Sequence, residues 1–416
     1  MKVLIILCFA VSAFAVENAL RELLKSPKET VRLYGAFKAQ ENLHFRGSED
    51  ALRFRLFRAN AEFVAAANEQ SDSTIFGLNF FSTMTADEKK QYLGLNITGH
   101  QPNPPSLPSS GFPERAPKEK LWTNEGAVTE VINQGSCGSC WTFGAVGGLE
   151  SRYKVGSGKL RKFAEQEYLD CTYSDKKDGC HGGWPDNCYD YSKRSGGRLA
   201  ASKDYVYRAK DSSCKASSMP NAAISHKIMG YVAVASTEAA NIEALSTGSL
   251  SAAFEVTDYF QQYRGGIMKD TTCKGRPNHA VTAVGYTERF VLVKNSWGTG
   301  WGDRGFVKFA RNHDNCGLFF YSSYPKLVAT GKADTTRSDR ATNYRPSDND
   351  DDVGPAPNPS CQDKAMDCNK SYCKHVEFGK KWCKRTCGYC DDEDGGECPS
   401  GTVRCPDGIC RHEHMC

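Results

Sequence analysis

The chain has 416 residues, room for two or three independently folding units at roughly 100–200 residues each. Lys plus Arg total 53 against 49 Asp plus Glu. This near-even balance excludes the strong basic field that would point to nucleic acid or an anionic membrane as partner. A hydrophobic content of 39% and a charged content of 25% are ordinary for a globular protein.

In chain order, Lys2 precedes an apolar run from Val3 to Ala13 that ends in Ala13-Phe14-Ala15. A basic start, an apolar stretch and small residues two apart predict a signal peptide, residues 1–15, cut after Ala15. A membrane anchor needs about 20 apolar residues, and Glu17, Asn18, Arg21 and Glu22 end the run too early. No later segment reads as a membrane span. Of 19 cysteines, one is Cys8, eight fall between Cys137 and Cys316, and ten crowd into Cys361 to Cys416. Entry to the secretory route together with this density predicts structural disulfides and an extracellular or lysosomal destination.

Residues 16–98 lack cysteine and are helical in pattern. Within them Glu49, Arg53, Phe57, Asn60, Val64 and Asn68 recur at steps of 4, 4, 3, 4 and 4, which keeps all six on one helical stripe. Residues 99–117, with six prolines from Pro102 to Pro117, read as an extended, cleavable connection. Residues 118–330 place a helical half, including a helix over 139–153, before a Gly-rich half with β-prone runs at 280–284, 290–293 and 306–309. That order predicts an α+β domain in two halves. Residues 331–360, with Asp348-Asn349-Asp350-Asp351-Asp352 and Pro355-Ala356-Pro357, read as a solvated linker. A cysteine-dense tail, 361–416, follows.

The chemistry concentrates in Gln134-Gly135-Ser136-Cys137-Gly138-Ser139-Cys140-Trp141. A cysteine attacks a carbonyl only as thiolate and therefore needs a lowered pKa. A helix N-terminus supplies partial positive charge and a nearby imidazolium a full one. Cys140 sits where such a helix begins. Cys137-x-x-Cys140 also suits a thioredoxin-like redox pair or half a zinc site. The first lacks flanking βαβ pattern, and the second lacks a further close ligand pair in this domain.

These residues resemble the papain-like cysteine proteases, the cathepsin L-type branch in particular, whose local signature is C-G-[SA]-C-[WY] with His and Asn well downstream. Here Asn278-His279-Ala280-Val281 and Lys294-Asn295-Ser296-Trp297-Gly298 supply them. The resemblance implies a two-lobed fold, a helical lobe against a β-barrel-like lobe, and a monomeric thiol endopeptidase without cofactor or metal that acts on proteins or peptides. It implies Cys140 as nucleophile, His279 as acid–base partner, Asn295 orienting the imidazole, Trp297 shielding that bond, and Gln134 donating to the oxyanion. It puts Gly182, Gly183, Trp184, Pro185, Ala253, Pro277, Asn278 and Tyr321 along the substrate cleft. The pocket for the second residue before the cut is then apolar, with Tyr321 at its floor. No His-rich insertion lies between Cys180 and Cys214, so an open cleft and endopeptidase action are expected. Family pairing would join Cys137 to Cys180, Cys171 to Cys214 and Cys273 to Cys316. It leaves Cys188 either as a buried thiol or in an extra bridge.

The same likeness extends upstream. The stripe from Glu49 to Asn68 matches the E-R-F-N-I-N pattern of cathepsin L-type propeptides, with Val64 for Ile. Gly77-Leu78-Asn79-Phe80-Phe81-Ser82-Thr83 resembles their second motif, with Thr83 where that motif has Asp. An inhibitory prosegment running backward through the cleft is implied, with maturation cleavage at 113–118. In the tail, residues 361–390 resemble an ShK-type domain, the fold of sea anemone potassium-channel toxins, implying Cys361–Cys390, Cys368–Cys383 and Cys373–Cys387. Residues 391–416 resemble part of an LDL-receptor class A module. Asn96-Ile97-Thr98 and Asn369-Lys370-Ser371 are N-glycosylation sequons. The rival reading is a binding or venom-type protein whose tail carries the main function.

Overall fold

The structure is a computed structural model that describes residues 20–95, 116–172, 179–220 and 225–346, with two short strands further on. The predicted signal peptide, both sequons, most of the 99–117 connection and the six cysteines assigned to an ShK-type domain lie outside the described residues. Among the described residues no helix is long and apolar enough to cross a membrane.

The prosegment starts with α1 (Pro27–Gln40) and α2 (Gly47–Gln70). Ser26 caps α1 by accepting from Glu29 N–H, and Pro27 fills the first turn, where a missing N–H costs nothing. On α2 the buried face is Phe57, Ala61, Val64, Ala65, Ala67 and Asn68. Phe57 packs against Phe37 and Tyr34 of α1, at ring separations of 5.0 and 5.2 Å. Next come β1 (Thr74–Phe76), unannounced by the helical pattern, and α3 (Ala86–Lys90). The latter opens on a capping box between Thr85 and Glu88.

The catalytic region opens with β2 (Lys120–Leu121) and a helical half: α4 (Cys140–Ser157), α5 (Glu165–Cys171) and α6 (Pro185–Arg194). Their core gathers Trp141, Leu149, Tyr153, Phe163, Tyr168 and Tyr189. The strand half follows: β3 (His226–Val234), α7 (Glu238–Ser246), β4 (Leu250–Phe254), α8 (Asp258–Gln261), β5 (Tyr263–Met268), β6 (His279–Tyr286), β7 (Phe290–Lys294), β8 (Phe306–Ala310) and β9 (Tyr321–Ala329). The sheet runs β1-β5-β8-β7-β6-β4-β9-β3, with β2 added on β6. All these pairings are antiparallel except β5 with β8. The prosegment thus supplies an edge strand to the enzyme's own sheet. In the tail, β10 (Val403–Arg404) pairs antiparallel with β11 (Cys410–Arg411).

Among the described residues two disulfides form, Cys137–Cys180 and Cys171–Cys214. Cys188 is a buried thiol on α6. The expected Cys273–Cys316 bridge is not made. The Cys316 sulfur is turned onto the Asp270 carbonyl, to which it donates at 3.4 Å, and Cys273 lies near enough to raise its pKa. The reading of 331–360 as a solvated linker also fails in its first half. Asp334, Thr342 and Tyr344 are buried against the catalytic region. Their polar neighbours in sequence hid that anchoring.

Candidate active site

Cys140 is the first residue of α4 and His279 the first of β6. The two elements press together because α4 carries glycine at the contact. A Cβ at Gly147 would lie 2.2 Å from the Thr282 hydroxyl of β6. That approach sets Cys140 Sγ 3.3 Å from the N–H of Ala280, next to His279. The His279 Nε2 meets Asn295 Oδ1 at 2.8 Å. The indole of Trp297 lies 4.7 Å from the imidazole and is fully covered. Asn295 follows β7 directly and is fixed by its N–H to Gly305 O. Gln134 joins the same loop, since its N–H donates to Ser296 O at 2.7 Å and its Oε1 accepts from the Ser296 hydroxyl at 2.6 Å. Four residues far apart in sequence therefore converge.

The prosegment lies across them. Gln134 Nε2 donates to the Tyr92 carbonyl at 3.1 Å, and also to Cys137 O. The Gly94 amide lies near enough to the Cys140 sulfur to favour its thiolate. Gly183 N–H donates to Gly94 O at 2.9 Å, and Leu95 N–H donates to Asn278 O at 3.1 Å. Leu95 and Gly183 pair in parallel. The Leu95 side chain packs on Trp184, Ala253 and Tyr321. Tyr321 meets Trp184 edge-on at 4.7 Å and turns its hydroxyl away, donating to the buried Asp186 carboxylate. Pro185 starts α6 just beyond Trp184, and Gly182, at φ 120°, turns the chain into Gly183. Phe81 presses edge-on against Trp297 at 4.7 Å.

Covering the site changes its protonation. Burial pushes the Cys140 thiol up to about 12, although the amides of Ala280 and Gly94 favour the thiolate. Burial likewise lowers His279 to about 4, against the favourable bond to Asn295. Both shifts have the same cause, removal of water from the charged forms. In the covered site burial therefore favours the neutral thiol and the neutral imidazole. Among the described residues the imidazole Nδ1 has no hydrogen-bond partner.

Behind the dyad is a charged cluster that motif reading missed. Glu150, Glu165 and Lys294 line a cavity of about 20 Å³ together with Asn295 and Ser296, space for about one water. Lys294 Nζ donates to Thr129 Oγ1 at 2.9 Å, and Thr129 donates to Glu150 at 2.6 Å. Burial raises Glu165 to about 7, and the neighbouring Glu150 adds to the rise. The only signal in the sequence was Lys294 standing in an otherwise apolar strand immediately before Asn295.

Comparison with known proteins agrees with this architecture. The Papain family cysteine protease profile matches residues 116–326, and the cathepsin propeptide inhibitor domain matches residues 34–88. Pro-cathepsin H of Bos taurus is 35% identical over 314 residues, 70% of this chain and 89% of that protein. Among solved structures, a recombinant stem bromelain precursor matches with TM-score 0.65 and 31% identity, over 72% of this chain and 99% of that one. A digestive procathepsin L2 proteinase from Tenebrio molitor larval midgut matches with TM-score 0.64 and 30% identity, over 72% and 100%. The chain belongs to the papain family of cysteine proteases and carries a cathepsin-type inhibitory prosegment.

Proposed function

We propose that this protease is an endopeptidase of cathepsin L type, made for the secretory route, with Cys140 and His279 as its catalytic dyad. Released from the prosegment, the two groups regain water and exchange a proton to give thiolate and imidazolium. The thiolate attacks the scissile carbonyl and forms a thioester. His279 protonates the leaving amine and then activates water for deacylation. Asn295 holds the ring, while Gln134 Nε2 and the Cys140 N–H receive the oxyanion. Removing one such donor costs about 10²–10³ in rate.

The observation that carries this reading is the placement of residues 92–95. Tyr92 offers a carbonyl to Gln134 at 3.1 Å, Gly94 caps the sulfur, and Leu95 fills the pocket of Trp184, Ala253 and Tyr321. The prosegment occupies the same donors and pocket that a substrate would use. It runs from thiol towards pocket, whereas a substrate runs from pocket towards thiol. Reversal keeps its peptide bonds out of attack geometry.

Leu95 also suggests the preference at that pocket: medium aliphatic or aromatic side chains, because the Tyr321 hydroxyl is engaged by Asp186. Acid-activated enzyme treated with a Cys-directed epoxide should carry one label, mapped to Cys140. A peptide panel varied at the second residue before the cut should favour Leu, Val or Phe. Labelling elsewhere defeats the dyad, and a preference for Arg or Glu defeats the pocket.

A further inference from the structure

The family profile ends at residue 326, yet the chain stays on the enzyme for another 20 residues. Asp334, whose side chain is wholly buried, pairs in two-pronged fashion with Arg161, at 2.6 Å to Nη2 and 2.9 Å to Nε. The same carboxylate accepts from the Tyr153 hydroxyl of α4 at 2.9 Å. Next, Ser338 accepts from Leu160 N–H at 2.8 Å, Asp339 N–H donates to Leu160 O, and the Asp339 carboxylate accepts from Lys162 N–H. All these partners belong to the helical half.

The chain then changes sides. Thr342 N–H donates to Val128 O at 2.7 Å, and Ala341 bridges to Thr129. Tyr344, 1% exposed, stacks on Phe306 at 4.0 Å with ring planes 14° apart. Its hydroxyl donates to Asp303 at 2.8 Å. Phe306 opens β8 opposite Lys294, the residue before Asn295. The segment therefore holds one end on the helix that begins at Cys140 and the other on the strands that carry Asn295.

We propose that residues 331–346 are a clasp belonging to the mature enzyme. They tie the Cys140 half to the Asn295 half, and Pro346 is the first point at which the cysteine-rich tail can be released without opening the catalytic domain. A buried two-pronged Arg–carboxylate pair resists exchange with solvent, because separating it leaves uncompensated charge. A face-stacked aromatic at the other end adds contact area to the apolar cluster of Trp122, Val128 and Phe290.

The segment contains its own probe. Lys332, Arg337 and Arg340 are exposed trypsin sites within it. Full-length zymogen carrying Cys140→Ser, to prevent autolysis, should resist cleavage at all three, since a protease needs several residues of detached backbone. Adding Asp334→Ala or Tyr344→Ala should speed cleavage there at least tenfold and lower the melting temperature. Active enzyme matured from the unsubstituted chain should keep residues 331–346 by intact mass. Rapid cutting at Arg337 or Arg340 in the parent zymogen, with its melting temperature unchanged afterwards, would overturn the proposal, as would an active mature enzyme ending before residue 334. None of these readouts depends on which substrate is cleaved.

Discussion

Gly94→Ala in the zymogen tests how the prosegment silences the site. A Cβ at that position would lie 2.0 Å from the Gly138 carbonyl oxygen and 2.3 Å from its carbon. Both are backbone atoms fixed beside the Cys137–Cys180 bridge, so the prosegment itself must move, by more than an ångström. Two hydrogen bonds stand to be lost, Gly183 to Gly94 and Leu95 to Asn278, together with the influence of the Gly94 amide on the sulfur. At about 0.5–1.5 kcal/mol net each, the loss is roughly 1–3 kcal/mol, or roughly 5- to 150-fold in the closed-to-open ratio. The assay is the rate of Cys140 alkylation by iodoacetamide at pH 7, followed by peptide mapping. The parent zymogen should be protected, and the variant should react faster by that factor. An unchanged rate with an intact fold would refute the argument that contact at Gly94 holds the site shut.

Glu88→Gln should let the zymogen open at a higher pH. Its hydrogen-bonded ion pair with Arg53 holds Glu88 down at about 2. A lowered carboxylate stabilises above its free value of about 4.3 and loses that contribution as pH falls towards its folded value. The parent prosegment should therefore loosen between about pH 4.5 and 2, and the variant's autoactivation profile should be flatter across that window. Lys294→Met removes the cation that favours the ionised forms of Glu150 and Glu165 and takes the donor from Thr129, a loss of about 1–3 kcal/mol for a buried group left without its hydrogen bond. Both acids have raised pKa values, so the deficit in thermal stability should grow as pH rises from 5 to 8 and shrink on acidification. Gly147→Val drives side chain into Thr282 and should cost about 1–3 kcal/mol by overpacking, read as a lower denaturant midpoint.

Much of this arrangement was legible because it rests on local chemistry. The turn before Cys140 and the helix after it, the β-runs at 280–284, 290–293 and 306–309, and the stripe on α2 all follow from short-range pattern. Asn60 and Asn68 on that stripe cap backbone groups of the second motif, Asn60 at Ser82 O and Asn68 at Phe76 on both sides. What stayed hidden depends on partners remote in sequence. Glu150, Glu165 and Lys294 belong to no shared motif and come together only where the two halves close. The clasp reads as linker because two buried anchors, Asp334 and Tyr344, hold it amid exposed neighbours. Thr83 also misleads: the acid missing there is matched by Glu88, five residues on, which pairs with Arg53 while Arg53 donates to Thr83 O.

The central claim is that Cys140 becomes a thiolate because His279 becomes an imidazolium once the prosegment leaves. The direct measurement is the pH dependence of Cys140 alkylation before and after maturation, with and without His279→Gln. The mature enzyme should react well into the acid range, the zymogen should not, and the mature variant's reactivity should follow an ordinary thiol near pH 8.5. Identical profiles for mature enzyme and variant would contradict the claim.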